Sequence, residues 1–166
     1  MIFVTVGTHE QPFNRLIEWI DQMKREGLLT DESVFLQIGY STYIPKYCQY
    51  KDFISPQEMD YFMQKADRII THGGPSSFIG ALQHGKEPIV VPRRKKFNEH
   101  INDHQLVFCN ELVKRGFPIK LVQEKGQLNE VLFRMNKASK NDKAFQRHNE
   151  EFNNSLESMI DSMFHK

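Results

Sequence analysis

Two rhythms of hydrophobic residues alternate along the chain. Ile2, Phe3, Val4, Thr5 and Val6 form an unbroken β-branched and aromatic run that stops at Gly7, as expected of a strand covered on both faces. From Pro12 the spacing changes. Phe13, Leu16, Ile17, Ile20 and Met23 recur at helical intervals on a charged background until Gly27, which predicts an amphipathic helix with a glycine stop. A second strand is predicted over 34–38 and a third over 51–54, after which Ser55 and Pro56 supply the N-cap and first residue of a helix over 57–65. A strand over 68–71, a helix over 76–84 closed by Gly85 and a strand over 89–91 closed by Pro92 continue the alternation. A helix over 102–115, with Leu106, Val107, Leu112 and Val113 as its apolar stripe, leads to a last strand over 119–122. Strands alternating with helices in this way predict an α/β fold with a Rossmann-like, doubly wound parallel sheet.

Leu128, Val131, Leu132 and Met135 form one more helical pattern, and the polar stretch 137–143 breaks it. Beyond the break, Phe145, Phe152, Leu156, Met159, Ile160 and Met163 return at helical spacing. The chain therefore divides into a domain over 1–138 and a helical tail over 139–166. That tail either packs across its own domain or docks on a partner.

With 166 residues, 39% of them hydrophobic, one core forms without a disulfide framework or structural metal. Lys and Arg number 22 against 21 Asp and Glu, a formal charge of +1, so no overall field attracts nucleic acid. Cys48 and Cys109 follow no CxxC spacing and are expected as reduced packing thiols of a cytoplasmic protein. No apolar run reaches the roughly 18 to 20 residues of a membrane-spanning helix, and the opening run is too short for a secretory signal.

Ligands of open α/β sheets bind beyond the carboxyl ends of the strands, and the residues there are polar. Gly7, Thr8, His9, Glu10 and Gln11 follow the first strand; His72, Gly73, Gly74, Pro75, Ser76 and Ser77 follow the strand over 68–71. Two glycines before a proline and two serines at a helix start are a phosphate site, or a tight turn whose serines cap the helix. The segment lacks GxGxxG and a P-loop lysine, which counts against a Rossmann oxidoreductase or epimerase and against a nucleoside triphosphatase. Arg93, Arg94, Lys95 and Lys96 form a basic cluster after Pro92. Next come Glu99, His100, Asn102, Asp103, His104 and Gln105, donors and acceptors suited to sugar hydroxyls or to capping the following helix. His100 and His104 stand four apart with Glu99 beside them, but the glutamate is outside the pair, unlike HExxH, and no third ligand is evident.

The motifs FVTVGTHEQ (3–11), HGGPSS (72–77), GKEPIVVPR (85–93) and EHINDHQ (99–105) resemble those of the donor-binding subunit of two-part glycosyltransferases. Such subunits are similar to the C-terminal lobe of family 28 (MurG-like) GT-B enzymes, and the resemblance covers most of 1–122. It implies an inverting, UDP-hexose-dependent transferase subunit acting on a lipid-linked saccharide. The bacterial capsule or exopolysaccharide branch is the nearer match. Alternatives are the UDP-GlcNAc transferase subunit of lipid-linked oligosaccharide synthesis and a non-catalytic nucleotide-sugar-binding module. By position, the resemblance implies that Gly7 and Thr8 face the diphosphate, Phe53 and Ile54 edge the uracil, and His72, Gly73, Gly74, Ser76 and Ser77 meet phosphate and ribose. Arg93 would assist the leaving group, His104 and Gln105 would meet the sugar hydroxyls, and His100 joins them in the donor-binding set. Gly80 stands where the family carries a ribose-binding glutamate, so either Glu99 takes that role or the ribose is held more weakly. His9 and Glu10 are candidate bases for the acceptor hydroxyl. The resemblance further implies no metal or other cofactor, a membrane-anchored acceptor-lobe subunit as partner, and a place at the inner face of the membrane through that partner.

Overall fold

The computed structural model describes residues 1–29 and 33–138, together with residues 154, 157, 158 and 161. The expected tail helix, with its Phe and Met stripe, lies almost entirely outside the described residues. Six strands, β1 (Ile2–Thr5), β2 (Val34–Gln37), β3 (Gln49–Lys51), β4 (Arg68–His72), β5 (Ile89–Val91) and β6 (Lys120–Leu121), alternate with α1 (Asn14–Arg25), α2 (Pro56–Lys65), α3 (Pro75–Gln83), α4 (His104–Lys114) and α5 (Lys125–Ala138). They form one sheet in the order β3-β2-β1-β4-β5-β6, every pair parallel. This is the predicted doubly wound arrangement. β1 and β4 are buried at every position, which is why their sequences read as continuous apolar runs rather than alternating ones.

Successive residues face opposite sides, and the core divides accordingly. Ile2, Val4, Ile70, Ile89 and Val91 pack beneath α1 and α5 with Leu16, Ile17, Ile20, Leu128 and Leu132. On the other face, Phe3 and Ile69 meet Met63 of α2 and Ala81 of α3, while Val90 meets Phe78, Phe108 and Leu112. Three layers result, with α1 and α5 on one side and α2, α3 and α4 on the other. Ser55 caps α2 as predicted, in a capping box with Glu58 and Pro56 at the first helical position.

Two elements differ from expectation. β3 ends at Lys51, whereas the sequence pattern places a strand over 51–54. β3 is an edge strand with all three residues exposed. Its partner β2 ends at Gln37, so Phe53 has no strand to pair with and instead sets its ring edge-on to Tyr40 at 5.0 Å. In α4 the buried face is Phe108, Cys109 and Leu112, not the stripe of Leu106, Val107, Leu112 and Val113, for Val107 and Val113 are exposed. Phe108 takes the inward position, its ring tilted 30° to that of Phe78 with centroids 5.9 Å apart.

Candidate functional site

From the two central strands the chain winds in opposite directions, β1 toward β2 and β4 toward β5. The crevice beyond their carboxyl ends is where such sheets receive ligands. Gly7, with φ +77°, turns the chain away from β1, while Gly74 is the N-cap of α3 and Pro75 its first residue.

Between Gly7 and Gly74 stands the His72 ring. A Cβ built on Gly7 would lie 2.8 Å from His72 Cε1, and one built on Gly74 would lie 2.9 Å from Nδ1 and closer still to Cε1. Both glycines therefore make room for this imidazole. The Gly74 N–H donates to His72 Nδ1 at 3.1 Å, so the ring proton sits on Nε2 and is given to Ser77 Oγ, 2.9 Å away. Burial, with Arg93 nearby, pushes the His72 pKa down to about 3. The imidazole is neutral, its tautomer is fixed, and the Ser77 hydroxyl hydrogen is left to point elsewhere. α3 has no side-chain cap, and the N–H of Ser76 in its first turn lies beyond the reach of any intrahelical carbonyl.

Gly73, Gln105 and Arg93 make the next cluster. Gln105 Oε1 accepts the N–H of Gly73 and the N–H of Arg93, each at 3.0 Å, joining the turns after β4 and β5 to the start of α4. Its Nε2 lies 3.3 Å from His72 Nδ1. The amide expected on a sugar hydroxyl is thus engaged within the protein, as are the N–H groups of Gly73 and Gly74. Arg93, expected beside the leaving group, is fully buried. It donates from Nη1 to the carbonyls of Gln11 at 2.6 Å and Glu99 at 3.0 Å, and from Nη2 to that of Val6 at 2.7 Å, with Phe13 under its guanidinium. Burial lowers its pKa to about 10. It is a strut between two loops.

Glu99, the candidate for the ribose, is likewise engaged within the protein. Its Oε2 accepts Arg15 Nε at 3.0 Å, and its Oε1 accepts Arg15 Nη2 at 2.9 Å and the Arg94 N–H at 3.0 Å. Arg15 also donates to the carbonyls of Pro92 and Gln123 and packs against Trp19 and Phe97. Pro12, Asn14, Arg15, Phe97, Asn98 and Glu99 line a shallow cleft of about 400 Å³. Sequence reading missed Arg15 because a basic residue early in an amphipathic helix looks like any solvated position.

His9 and His100 stack at 4.5 Å with planes 16° apart. His9 Nε2 lies 2.9 Å from Gln11 Oε1, while Gln11 Nε2 donates to the Asn98 carbonyl. Amide oxygen therefore faces the ring, and Nε2 is the donor to it. Burial depresses the His100 pKa. Thr8, Glu10, Ser76 and His104 are exposed. Gln37, another residue the sequence reading missed, donates to the carbonyls of Gly7 and Asp52 at 3.1 and 3.0 Å and accepts the Thr5 hydroxyl. It holds the turn before Phe53 and Ile54 against the Gly7 turn.

His72 gives the stability a defined pH dependence. Its folded pKa lies below the ordinary 6.5, so the unfolded chain binds the extra proton. The contribution is whole above pH 6.5 and is lost as pH falls toward 3, at about 1.4 kcal/mol per unit. Guanidinium denaturation at pH 6.5 and 5 is expected to differ by about 2 kcal/mol, with His100 adding in the same direction. Most of that slope is expected to vanish in His72→Gln. A slope unchanged in that variant contradicts the neutral, buried ring.

Residues 1–163 match the family described as glycosyltransferase family 28 C-terminal domain. Among curated proteins, the chain is 33% identical over 128 residues to UDP-N-acetylglucosamine transferase subunit ALG13 of Homo sapiens, covering 69% of this chain and 10% of that protein. The Mus musculus protein of the same name is 30% identical over 127 residues, with the same coverage. The chain thus spans about a tenth of the length of these relatives. Among solved structures, it is similar to the glycotransferase of kitacinnamycin, with TM-score 0.65, 17% identity, and coverage of 95% of this chain and 39% of that one. It is similar also to CalG4, the calicheamicin glycosyltransferase, with TM-score 0.57, 15% identity, and coverage of 93% and 38%. At these identities the likeness is one of fold, that of one lobe of a GT-B glycosyltransferase.

Proposed function

The chain belongs to the family of glycosyltransferase family 28 C-terminal domains, and from that premise we propose that it is the donor-binding subunit of a UDP-sugar-dependent glycosyltransferase. The observation that carries this reading is the uncapped start of α3 beside the ordered His72–Ser77 pair. Helix N-termini attract anions through their free N–H groups and dipole. Ser76 N–H and the Ser77 hydroxyl are the donors left for a diphosphate, with Thr8 across the crevice. Phe53 and Ile54, beside the Gly7 turn, are the candidates for the uracil, and exposed His104 for the sugar. Helix dipole and N–H groups oppose the charge that develops on departing UDP, so the reading requires no metal.

The similarity to UDP-N-acetylglucosamine transferase subunits favours N-acetylglucosamine as the sugar over the hexose of a capsular or exopolysaccharide pathway. His9 and exposed Glu10 are this lobe's candidates for accepting the proton of the attacking hydroxyl. A second subunit would supply the acceptor lobe and bring a lipid-linked saccharide. Among the described residues no helix is long and apolar enough to cross a membrane.

Calorimetry with UDP and UDP-N-acetylglucosamine tests the donor site. Binding is expected to persist in EDTA, and Ser77→Ala is expected to weaken UDP about tenfold, or 1.4 kcal/mol. Absence of UDP binding overturns the reading. Loss of binding in EDTA overturns its metal-free form.

A further inference from the structure

Between β5 and α4 the chain carries a short 3-10 turn, Lys95–Phe97, on the same edge of the sheet as the His72 crevice. Its surface combines charge with exposed hydrocarbon. Lys95 and Lys96 are exposed, Phe97 is 48% accessible and Ile101, the most exposed large hydrophobic among the described residues, 70%. Arg93 is buried, Arg94 is paired with Asp103 and Glu99 with Arg15, so the charge this turn shows to solvent is that of Lys95 and Lys96.

The loop is braced rather than loose. Asp103 Oδ1 accepts the Lys95 N–H at 3.0 Å and Arg94 Nε at 3.3 Å, and the Arg15 guanidinium lies 4.6 Å from the Phe97 ring centre. Lys96 Nζ stands 4.9 Å from the same ring. Held in this way, the Phe97 ring and the Ile101 side chain are displayed at no further cost in loop ordering.

We propose that the loop over 95–101 docks directly on an anionic lipid surface, its lysines meeting headgroup phosphates while Phe97 and Ile101 enter the interfacial layer. Charge complementarity selects this occupant, since lysines beside exposed apolar side chains suit a surface that is negative outside and hydrocarbon within. Lysine stems extend past such apolar residues and keep the ammonium at headgroup level. The docked loop turns the carboxyl edge of the sheet toward the bilayer, where a lipid-linked acceptor would sit. That last point rests on the proposed transferase reading; the docking itself does not.

Sedimentation of the full chain with sucrose-loaded vesicles tests it. Vesicles of two parts phosphatidylcholine to one part phosphatidylglycerol are expected to carry the protein down, and phosphatidylcholine alone to leave it in solution. Replacing both lysines, Lys95→Gln with Lys96→Gln, is expected to weaken partitioning about thirtyfold. Ile101→Ser is expected to weaken it about tenfold. Melting temperature and UDP affinity of the variants are expected to match the parent. No sedimentation with anionic vesicles, equal sedimentation with neutral ones, or full binding by the folded double variant each overturns the proposal. A chain that binds vesicles but not UDP would sink the donor-site reading and leave this one standing.

Discussion

Replacing Gly74 with alanine is expected to cost about 3 kcal/mol of stability, and removing the His72 ring from the same molecule is expected to abolish that cost. Gly74 has φ −75° and ψ 129°, which alanine adopts freely, so the penalty comes from contact alone. The new methyl would press on the imidazole from 2.9 Å or less. The ring has no free side to move to, because Gly7 closes on it from the other direction and both of its nitrogens are bonded. Displacing it forfeits those bonds as well as the packing. Thermal unfolding of four proteins, the parent, Gly74→Ala, His72→Ala and the pair, measures the coupling. A midpoint roughly 10 °C lower is expected for Gly74→Ala in the parent, and little further change when alanine is introduced at 74 into His72→Ala. Equal losses in both backgrounds would show that the ring is not the obstacle.

Glu99→Ala is expected to cost about 3 to 5 kcal/mol. Both partners of the pair are enclosed, with side-chain exposures of 14% for Arg15 and 3% for Glu99, so removing the carboxylate leaves a guanidinium without its counter-charge. The Arg94 N–H loses its acceptor too. Replacing both ends, Arg15→Met with Glu99→Leu, is expected to recover a large part of the loss, because two buried charges are then removed together. Denaturant titration separates the cases. A loss below about 1 kcal/mol for Glu99→Ala would place the pair with ordinary surface bridges. UDP affinity gives an independent reading. A folded Glu99→Gln protein that binds UDP as the parent does assigns the residue to the scaffold, whereas a weakened one returns it to the ribose.

The sheet was legible because parallel strands announce themselves. Ile2 to Thr5 and Arg68 to His72 are buried on both faces, and Gly7 and Gly73 follow their carboxyl ends. The edge strand is harder to place, since the apolar pair Phe53 and Ile54 draws the strand past Lys51, while β3 itself is the exposed Gln49–Lys51. Edge position decides pairing, and no local pattern encodes it. Around the crevice, the sequence identified the turns that meet there but not the occupation of their polar groups. Gln105, Arg93 and Glu99 are the residue types that ligand sites use, and equally those that tie loops together. Only distances between atoms far apart in the chain separate the two uses. The sequence offers His72 as a ligand-facing residue. Its neutral tautomer follows from a Gly74 N–H that no sequence pattern could orient.

Arg15 binds Pro92, Glu99 and Gln123 across separations of 77, 84 and 108 residues, and Arg93 binds Val6 across 87. Contacts of such range are among the last to close as a chain folds, because the intervening loop entropy must be overcome first. The crevice edge is therefore expected to assemble late, after the local βα units, with its bonds acting chiefly on the rate of unfolding. A ligand that spans the turns after β1 and β4 holds together the part of the molecule that parts first. It lengthens the native lifetime by far more than it shortens the time to fold.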